Sequence, residues 1–403
     1  MWFEYDKPPS KSSLSEYDFV KDNTLFISAN TWIEITESFS QQEITDHLID
    51  IIKDLPFPHR KYTEDVLIQN YKALRDEDLS YELGEWSSPR LNSSVELLYM
   101  GKPIYLRGTN NGMWVSNNYT QEFRMECGYL GKTDNSPMHE WKHPQKGKSN
   151  FLRCLFGIIA EEIVPRGGVQ TDVLHRALKM HTYMASQFKP SVAKNIYDFF
   201  DAKKVLDFSA GWGDRLVGFL ASSTAESYIG IDPNTKLHTP YQNIYDWITH
   251  RFEMDKRACF ICSPAEDVSY TELDYDFVFT SPPYFDIERY SNEPTQSWIK
   301  HPTLDKWLDG FLLKTLGGLY AGLKEGGRIA VNISDKKGGG EICQPMLDYM
   351  KSIGATYEGV IGYKMHKRPG TTQTQQVDVF CEPVFVWSKG YAPPPLWNGK
   401  SFF

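Results

Sequence analysis

The chain has 403 residues, 41% of them hydrophobic and 24% charged, with a formal net charge of −9. That length suits two domains better than one core, and the acidic balance argues against a general nucleic-acid coat while leaving room for a local basic cleft. No run approaches the length needed to cross a bilayer, so no membrane partner is expected. The start, Met1-Trp-Phe-Glu-Tyr-Asp, lacks the basic and apolar regions of a secretion signal. Six scattered cysteines, at 127, 154, 259, 262, 343 and 381, predict a reducing, cytoplasmic compartment.

Residues 1 to 35 are polar and mixed. Thr36–Lys53 reads as a helix with Ile44, Leu48, Ile51 and Ile52 on one face. Thr63–Arg75 reads as another, with Thr63 as its N-cap. From Val95 to Leu130 the pattern turns to strands, at Glu96–Met100, Pro103–Leu106, Met113–Val115 and Phe123–Met125. Turns such as Gly108-Thr-Asn-Asn-Gly112 divide them. Residues 1–150 are therefore expected to form an α+β accessory domain, for substrate recognition or as a structural or partner-binding extension. Its densest basic stretch is Trp141-Lys-His-Pro-Gln-Lys-Gly-Lys148.

Helices are predicted at Phe151–Glu162, Val173–Ser186 and Val192–Phe200. Strand Lys204–Phe208 then runs through Ser209-Ala-Gly-Trp-Gly213 into a helix over Asp214–Ser222. A strand, a glycine turn and a helix let backbone approach a ligand closely. The next strand, Ser227–Ile231, ends in Asp232, an acid placed to accept both hydroxyls of a ribose. After Ala258–Cys262 come Glu266 and Asp267, carboxylates suited to an adenine amine. Dinucleotide binding competes with this reading. The turn, however, is Gly-Trp-Gly and not Gly-x-Gly-x-x-Gly, and Asp207, Trp212 and Asp214 are poor company for a pyrophosphate. Asp207 instead favours the amino and sulfonium groups of S-adenosylmethionine. Cys259 and Cys262 have no second pair, and the histidines are dispersed, so both cysteines read as structural and no metal is expected.

Strand Asp276–Phe279 leads into Thr280-Ser-Pro-Pro-Tyr284. Two prolines make a stiff turn whose carbonyls point outward as acceptors. Ser281 adds a hydroxyl and Tyr284 a flat face, a combination suited to a planar group carrying an exocyclic amine. A helix over Leu304–Leu323, a strand over Arg328–Ile333, a helix over Glu341–Ile353 and strands at Ala355–Gly362 and Val379–Trp387 complete an alternating α/β pattern. Right-handed crossovers then bring Asp207, Gly211, Asp232 and Ser281 to one sheet edge.

Asp207-Phe-Ser-Ala-Gly-Trp-Gly213 resembles the cofactor motif of class I S-adenosylmethionine-dependent methyltransferases, and Thr280–Tyr284 resembles the catalytic motif of the amino-methyltransferases, above all the DNA cytosine-N4 group. The sister adenine-N6 enzymes usually carry Asp or Asn where this chain has Ser281. Residues 185–390 carry the resemblance. It implies a Rossmann-like, seven-stranded methyltransferase sheet with an antiparallel last strand in residues 151–403, and S-adenosyl-L-methionine as cofactor. The cofactor contacts it implies are Phe188, Asp207, Ser209, Ala210, Gly211, Trp212, Gly213, Asp232, Glu266 and Asp267. Ser281, Pro282, Pro283 and Tyr284 are the implied catalytic residues. Phe285, Arg289, Tyr290, Lys364, Lys367 and Arg368 are candidates for substrate binding.

A helix start explains Phe188 and Pro190 equally well, and packing is an equal reading of Trp212 and a fair one of Phe285. DNA is the partner expected, in a bacterial cytoplasm or an infected host cell. RNA is the alternative, because the same turn serves members that methylate RNA bases or a protein glutamine amide. Small-molecule amines also stay open. The absence of a Pro-Cys dipeptide at a strand end argues against carbon-5 methylation.

Overall fold

Two distant stretches of the chain build one sheet. The computed structural model describes residues 11–88, 90–91, 95–130, 133–134, 136–144, 151–158, 160–287, 289–335, 340–365, 379–397 and 400–401. The sheet strands are β1 (Tyr81–Leu83), β2 (Ile104–Leu106), β3 (Lys204–Asp207), β4 (Ser227–Ile231), β5 (Arg257–Ile261), β6 (Phe277–Thr280), β7 (Arg328–Asn332), β8 (Thr356–Lys364) and β9 (Cys381–Ser388). They lie in the order β5-β4-β3-β6-β7-β9-β8-β2-β1. Strands β5, β4, β3, β6 and β7 run parallel, and β9 is antiparallel to both β7 and β8. The expected seven-stranded, Rossmann-like sheet with its antiparallel last strand is therefore present. Beyond it, β2 joins β8 in parallel register (Tyr105 opposite Gly362), and β1 closes the edge antiparallel to β2.

Parallel strands buried on both faces read as continuous apolar runs. Strands β6 and β7 do so, with every residue buried. Helices Pro190–Phe199 and Asp214–Ala221 cross beside β3, and Gly218 allows their close approach. A Cβ there would stand 2.6 Å from the Pro190 carbonyl oxygen and 2.7 Å from Ala193 Cβ. The helix predicted over Leu304–Leu323 is present to Gly322, with a π-helical stretch at Leu308–Leu313.

The chain divides elsewhere than at residue 150. Residues up to Lys61 group with Gln121–Ala185, and Tyr62–Thr120 group with Ser186–Phe403. The reason is the sheet: β1 and β2 hydrogen-bond with each other and β2 with β8, which ties the residue 62–120 stretch to the C-terminal half. The first unit has its own apolar core, including Trp32, Ile44, Leu48, Trp141, Phe151 and Leu174. One long helix was expected there over Thr36–Lys53. Two form, Ala29–Ser38 and Gln41–Ile52, because Ser40 opens a capping box with Glu43 and restarts the chain. Phe151–Glu162 is also interrupted, into Phe151–Leu155 and Ala160–Ile163. The strands expected at Met113–Val115 and Phe123–Met125 are instead the two ends of one helix, Met113–Glu126. Of the expected Glu96–Met100 strand, only isolated bridges from Tyr99 to Lys102 and to Gly359 form. No helix among the described residues is long and apolar enough to cross a membrane.

Candidate active site

Asp207 closes β3 and is fully buried. Its Oδ2 accepts from Arg215 Nε at 2.8 Å and from the Tyr228 hydroxyl at 2.8 Å. Its Oδ1 accepts from Thr280 Oγ1 at 2.9 Å and from the Ser209 N–H at 3.3 Å. Burial first, and then the Asp207 charge, holds the Tyr228 phenol protonated far above its ordinary range, so it stays a donor. Arg215 also donates to the Ser209 carbonyl. Asp207, expected as a cofactor contact, also makes an internal one: its carboxylate joins the glycine turn, β4 and β6. Thr280 immediately precedes Ser281, so the cofactor turn and the Ser-Pro-Pro-Tyr turn share one buried anchor.

The glycine turn is built for close approach. Gly211 and Gly213 have φ of +58° and +76°, the left-handed region that favours glycine. Ala210 N–H donates to the Ile231 carbonyl at 3.0 Å, and Gly211 N–H to Asp232 Oδ2 at 2.9 Å. The other Asp232 oxygen takes the Asn234 N–H at 2.9 Å. Burial nevertheless pushes the Asp232 carboxyl up to about 6. Each oxygen of an ionised carboxylate keeps a further lone pair after one such bond, so Asp232 retains capacity for two ribose hydroxyls.

Phe188 lies against Phe279 and Tyr363 (ring centroids 5.7 and 5.3 Å apart), beneath the Arg215 guanidinium at 5.4 Å. Glu266 and Asp267 follow β5 as expected but meet lysines. Lys300 Nζ lies 2.7 Å from Glu266 and 2.6 Å from Asp267, and His301 Nε2 lies 3.3 Å from Glu266. These acids therefore form an ion-pair cluster beside the site.

The structure places the Ser281 turn differently from expectation in one respect. Tyr284 is only 5% exposed, belongs to the buried apolar cluster, and donates its hydroxyl to Glu382 Oε2 at 3.3 Å. Arg90 sits 3.7 Å from the other Glu382 oxygen. The open stacking face is thus covered, while Ser281 and Pro283 remain partly exposed and Pro282 is buried. Phe285, expected in a base pocket, packs in the core, edge-on to Trp307 at 6.0 Å, with φ +56°. Tyr290 meets Trp212 edge to face at 5.3 Å, and the Arg289 guanidinium lies 4.4 Å from the Trp298 ring. Lys364, at the end of β8, lies 5.6 Å from the Tyr105 ring. Lys367 and Arg368 fall outside the described residues, as do Lys146 and Lys148 of the other basic stretch.

No family model and no curated protein sequence matches this chain. Its fold is similar to several solved methyltransferase structures. Magnesium protoporphyrin IX methyltransferase from Synechocystis PCC 6803, solved with bound S-adenosylmethionine, is 10% identical, covering 50% of this chain and 79% of that one at a TM-score of 0.32. A precorrin-6y C5,15-methyltransferase from Geobacter metallireducens is 14% identical over 50% and 88% (TM-score 0.30). An S-adenosylmethionine-dependent O-methyltransferase from Thermotoga maritima is 11% identical over 51% and 68% (TM-score 0.30). At TM-scores near 0.3 these likenesses carry no argument, and the functional reading rests on the site itself.

The residues at this edge fit an adenosyl cofactor: a backbone cradle at Gly211 and an acceptor at Asp232. Sequence reading missed Arg215, Tyr228 and Glu382, and named Thr280 only as the first residue of the Ser-Pro-Pro-Tyr turn without a role of its own. No group of three or more His, Cys, Asp or Glu among the described residues could hold a metal. Cys259 and Cys262 are free and exposed at the β5 edge.

Proposed function

We propose that the chain transfers a methyl group from S-adenosylmethionine to an exocyclic amine of a DNA base, with cytosine N4 ahead of adenine N6. The observation that carries this is the Thr280–Asp207 hydrogen bond, 2.9 Å long, which fixes the Ser-Pro-Pro-Tyr turn against the strand that launches the glycine turn. When bound, the cofactor supplies a methyl group already activated on a sulfonium. Asp232 holds its ribose, and the Gly211 turn lets it lie against backbone. The acceptor amine is a poor nucleophile because its lone pair is delocalised into the ring. Ser281 Oγ and the Pro282 carbonyl accept its two N–H bonds, which favours a pyramidal nitrogen and frees the pair for attack. The rest of the rate comes from orientation. Ser281 is no strong base, so the proton leaves after methyl transfer.

A base in a duplex must leave its stack, at a cost of a few kcal/mol that is smallest for single-stranded targets. Stacking on Tyr284 then requires the target to uncover a ring that Glu382 holds in place by its hydroxyl.

The decisive experiment incubates the protein and labelled S-adenosylmethionine with separate DNA and RNA pools and reads nucleosides by mass spectrometry. Label in N4-methylcytosine or N6-methyladenine from DNA supports the proposal and selects the base. Label confined to RNA replaces it with an RNA reading, and label in neither pool turns the search to protein amides and small amines. Ser281→Ala is expected to lower kcat about 100-fold, the scale of one lost transition-state contact, with cofactor affinity unchanged. Equal losses in both would remove Ser281 from the chemistry.

A further inference from the structure

Strand β9 is antiparallel to both of its neighbours, so β8 runs in the same direction as β6 and closes at the edge that carries Ser281. Tyr363, one residue before that end, stands opposite Glu382 across the β8–β9 ladder. Opposite residues share one face of a sheet, with Cβ atoms about 4.5–5.5 Å apart. Glu382 accepts the Tyr284 hydroxyl, so Tyr363 and Tyr284 flank the same carboxylate. The Tyr363 ring also lies 5.3 Å from that of Phe188, which meets Phe279 of β6 at 5.7 Å. These contacts set the side chain on the wall between Phe188 and the Ser-Pro-Pro-Tyr turn.

Its hydroxyl is idle there. Tyr363 is 5% exposed, yet the hydroxyl makes no hydrogen bond among the described residues. Nor is its oxygen one of the buried polar atoms closed to solvent, so the residue's small opening reaches it. Burial, and then the charges of Glu382 and Asp214, keep the phenol protonated far above its ordinary range, which holds it as a donor. Both carboxylates are engaged elsewhere. Glu382 is taken by Tyr284 and Arg90, and Asp214 Oδ1 by the Ser116 hydroxyl and by Gln187 Nε2 at 3.0 Å. A phenylalanine would pack as well against Phe188 without the cost of desolvating a hydroxyl that binds nothing.

A base stacked on Tyr284 has a use for such a donor. In the proposed reaction Ser281 and the Pro282 carbonyl accept both hydrogens of the exocyclic amine. The ring nitrogen beside that amine, N3 in cytosine or N1 in adenine, is an acceptor that neither of them can serve. We propose that Tyr363 is a substrate-contacting residue, its hydroxyl donating to this ring nitrogen and so completing recognition of the base edge that carries the amine. This rests on the proposed reaction. A site that meets a substrate's polar group with a placed partner rejects analogues lacking that group far better than an apolar pocket does.

The test crosses Tyr363→Phe with an oligonucleotide in which the ring nitrogen of the methylated base is replaced by C–H (3-deazacytosine or 1-deazaadenine). Each change alone is expected to lower kcat/KM about tenfold, the scale of one hydrogen bond. The two together should cost no more than one of them, because both remove the same contact. Calorimetric titration of S-adenosylhomocysteine and the ligand-free Tm should be unchanged in Tyr363→Phe. Additive losses, or full activity of Tyr363→Phe on the natural base, overturn the contact. So does a fall in cofactor affinity or in Tm, which makes the hydroxyl a cofactor ligand or a structural group. Full wild-type activity on the deaza base overturns it without recourse to any variant. If the wild-type protein binds S-adenosylhomocysteine yet methylates neither base in DNA, the proposed reaction fails, and the Tyr363 assignment with it.

Discussion

Arg215→Ala is expected to lower the unfolding free energy by about 3–5 kcal/mol, the cost of leaving a buried charge without its partner. Asp207 would remain at 0% exposure with only neutral donors, since Tyr228, Thr280 and the Ser209 N–H carry no charge. The measurement is chemical denaturation, read as a lower midpoint at constant m. Arg215→Lys keeps the charge but loses the fork that reaches Asp207 and the Ser209 carbonyl together. It should recover only part of the loss. Cofactor affinity should fall alongside stability, because the same guanidinium holds the start of the glycine turn. A midpoint within about 1 kcal/mol of wild type would mean that water compensates Asp207 and that the network is not the anchor described here.

The second large effect concerns cofactor binding. Asp232→Ala should raise the dissociation constant for S-adenosylhomocysteine about 100-fold, the equivalent of roughly 3 kcal/mol and the scale of one or two hydrogen bonds to a charged group. Unchanged binding would sink the ribose assignment. The wild-type protein should also show a pH signature. The Asp232 carboxyl titrates near 6, above its ordinary 3.8, because it is buried. The ligand-free fold therefore favours the protonated form. Its contribution to stability is complete below the unfolded value and is lost as pH rises through the folded one. Binding has the opposite sign, since two ribose hydroxyls need the ionised carboxylate as acceptor. Affinity should rise with pH through about 6 and level off above it, weakening about tenfold per unit below. Asp232→Asn should flatten this profile, and a flat wild-type profile would remove the carboxylate from the contact.

Much of the sheet body was legible because its signals are local. Apolar runs of four or five residues, each followed by a glycine or proline turn, mark β3 to β7, and the positions of Asp207, Gly211, Asp232 and Ser281 at one edge follow from strand direction alone. The N-terminal stretch misled where its signals were not local. Met113-Trp-Val looks like a strand, yet the helix that starts there is capped from another helix: Asn70 Oδ1 accepts the Trp114 N–H at 3.1 Å, and the Asn70 carbonyl accepts Gly112 N–H at 3.2 Å. Nothing in the helix's own sequence announces that cap. The Asp207 network was hidden for the same reason, since Arg215, Tyr228 and Thr280 arrive from a helix and two other strands. The partial burial of Tyr284's face could not be read either. Glu382 is 98 residues further along the chain.

The extra edge of the sheet has a consequence for how the protein is made. Strand β2 finds its parallel neighbour β8 only after more than half of the chain has followed it, since Tyr105 pairs with Gly362. During synthesis the β1–β2 hairpin must wait for nearly all of the polypeptide, with one flank of its backbone donors and acceptors unmet. Pairings this distant are slow and expose sticky intermediates. Holding the hairpin soluble until β8 emerges is thus the step at which a ribosome-bound chain is most vulnerable, and slower translation would lengthen that wait.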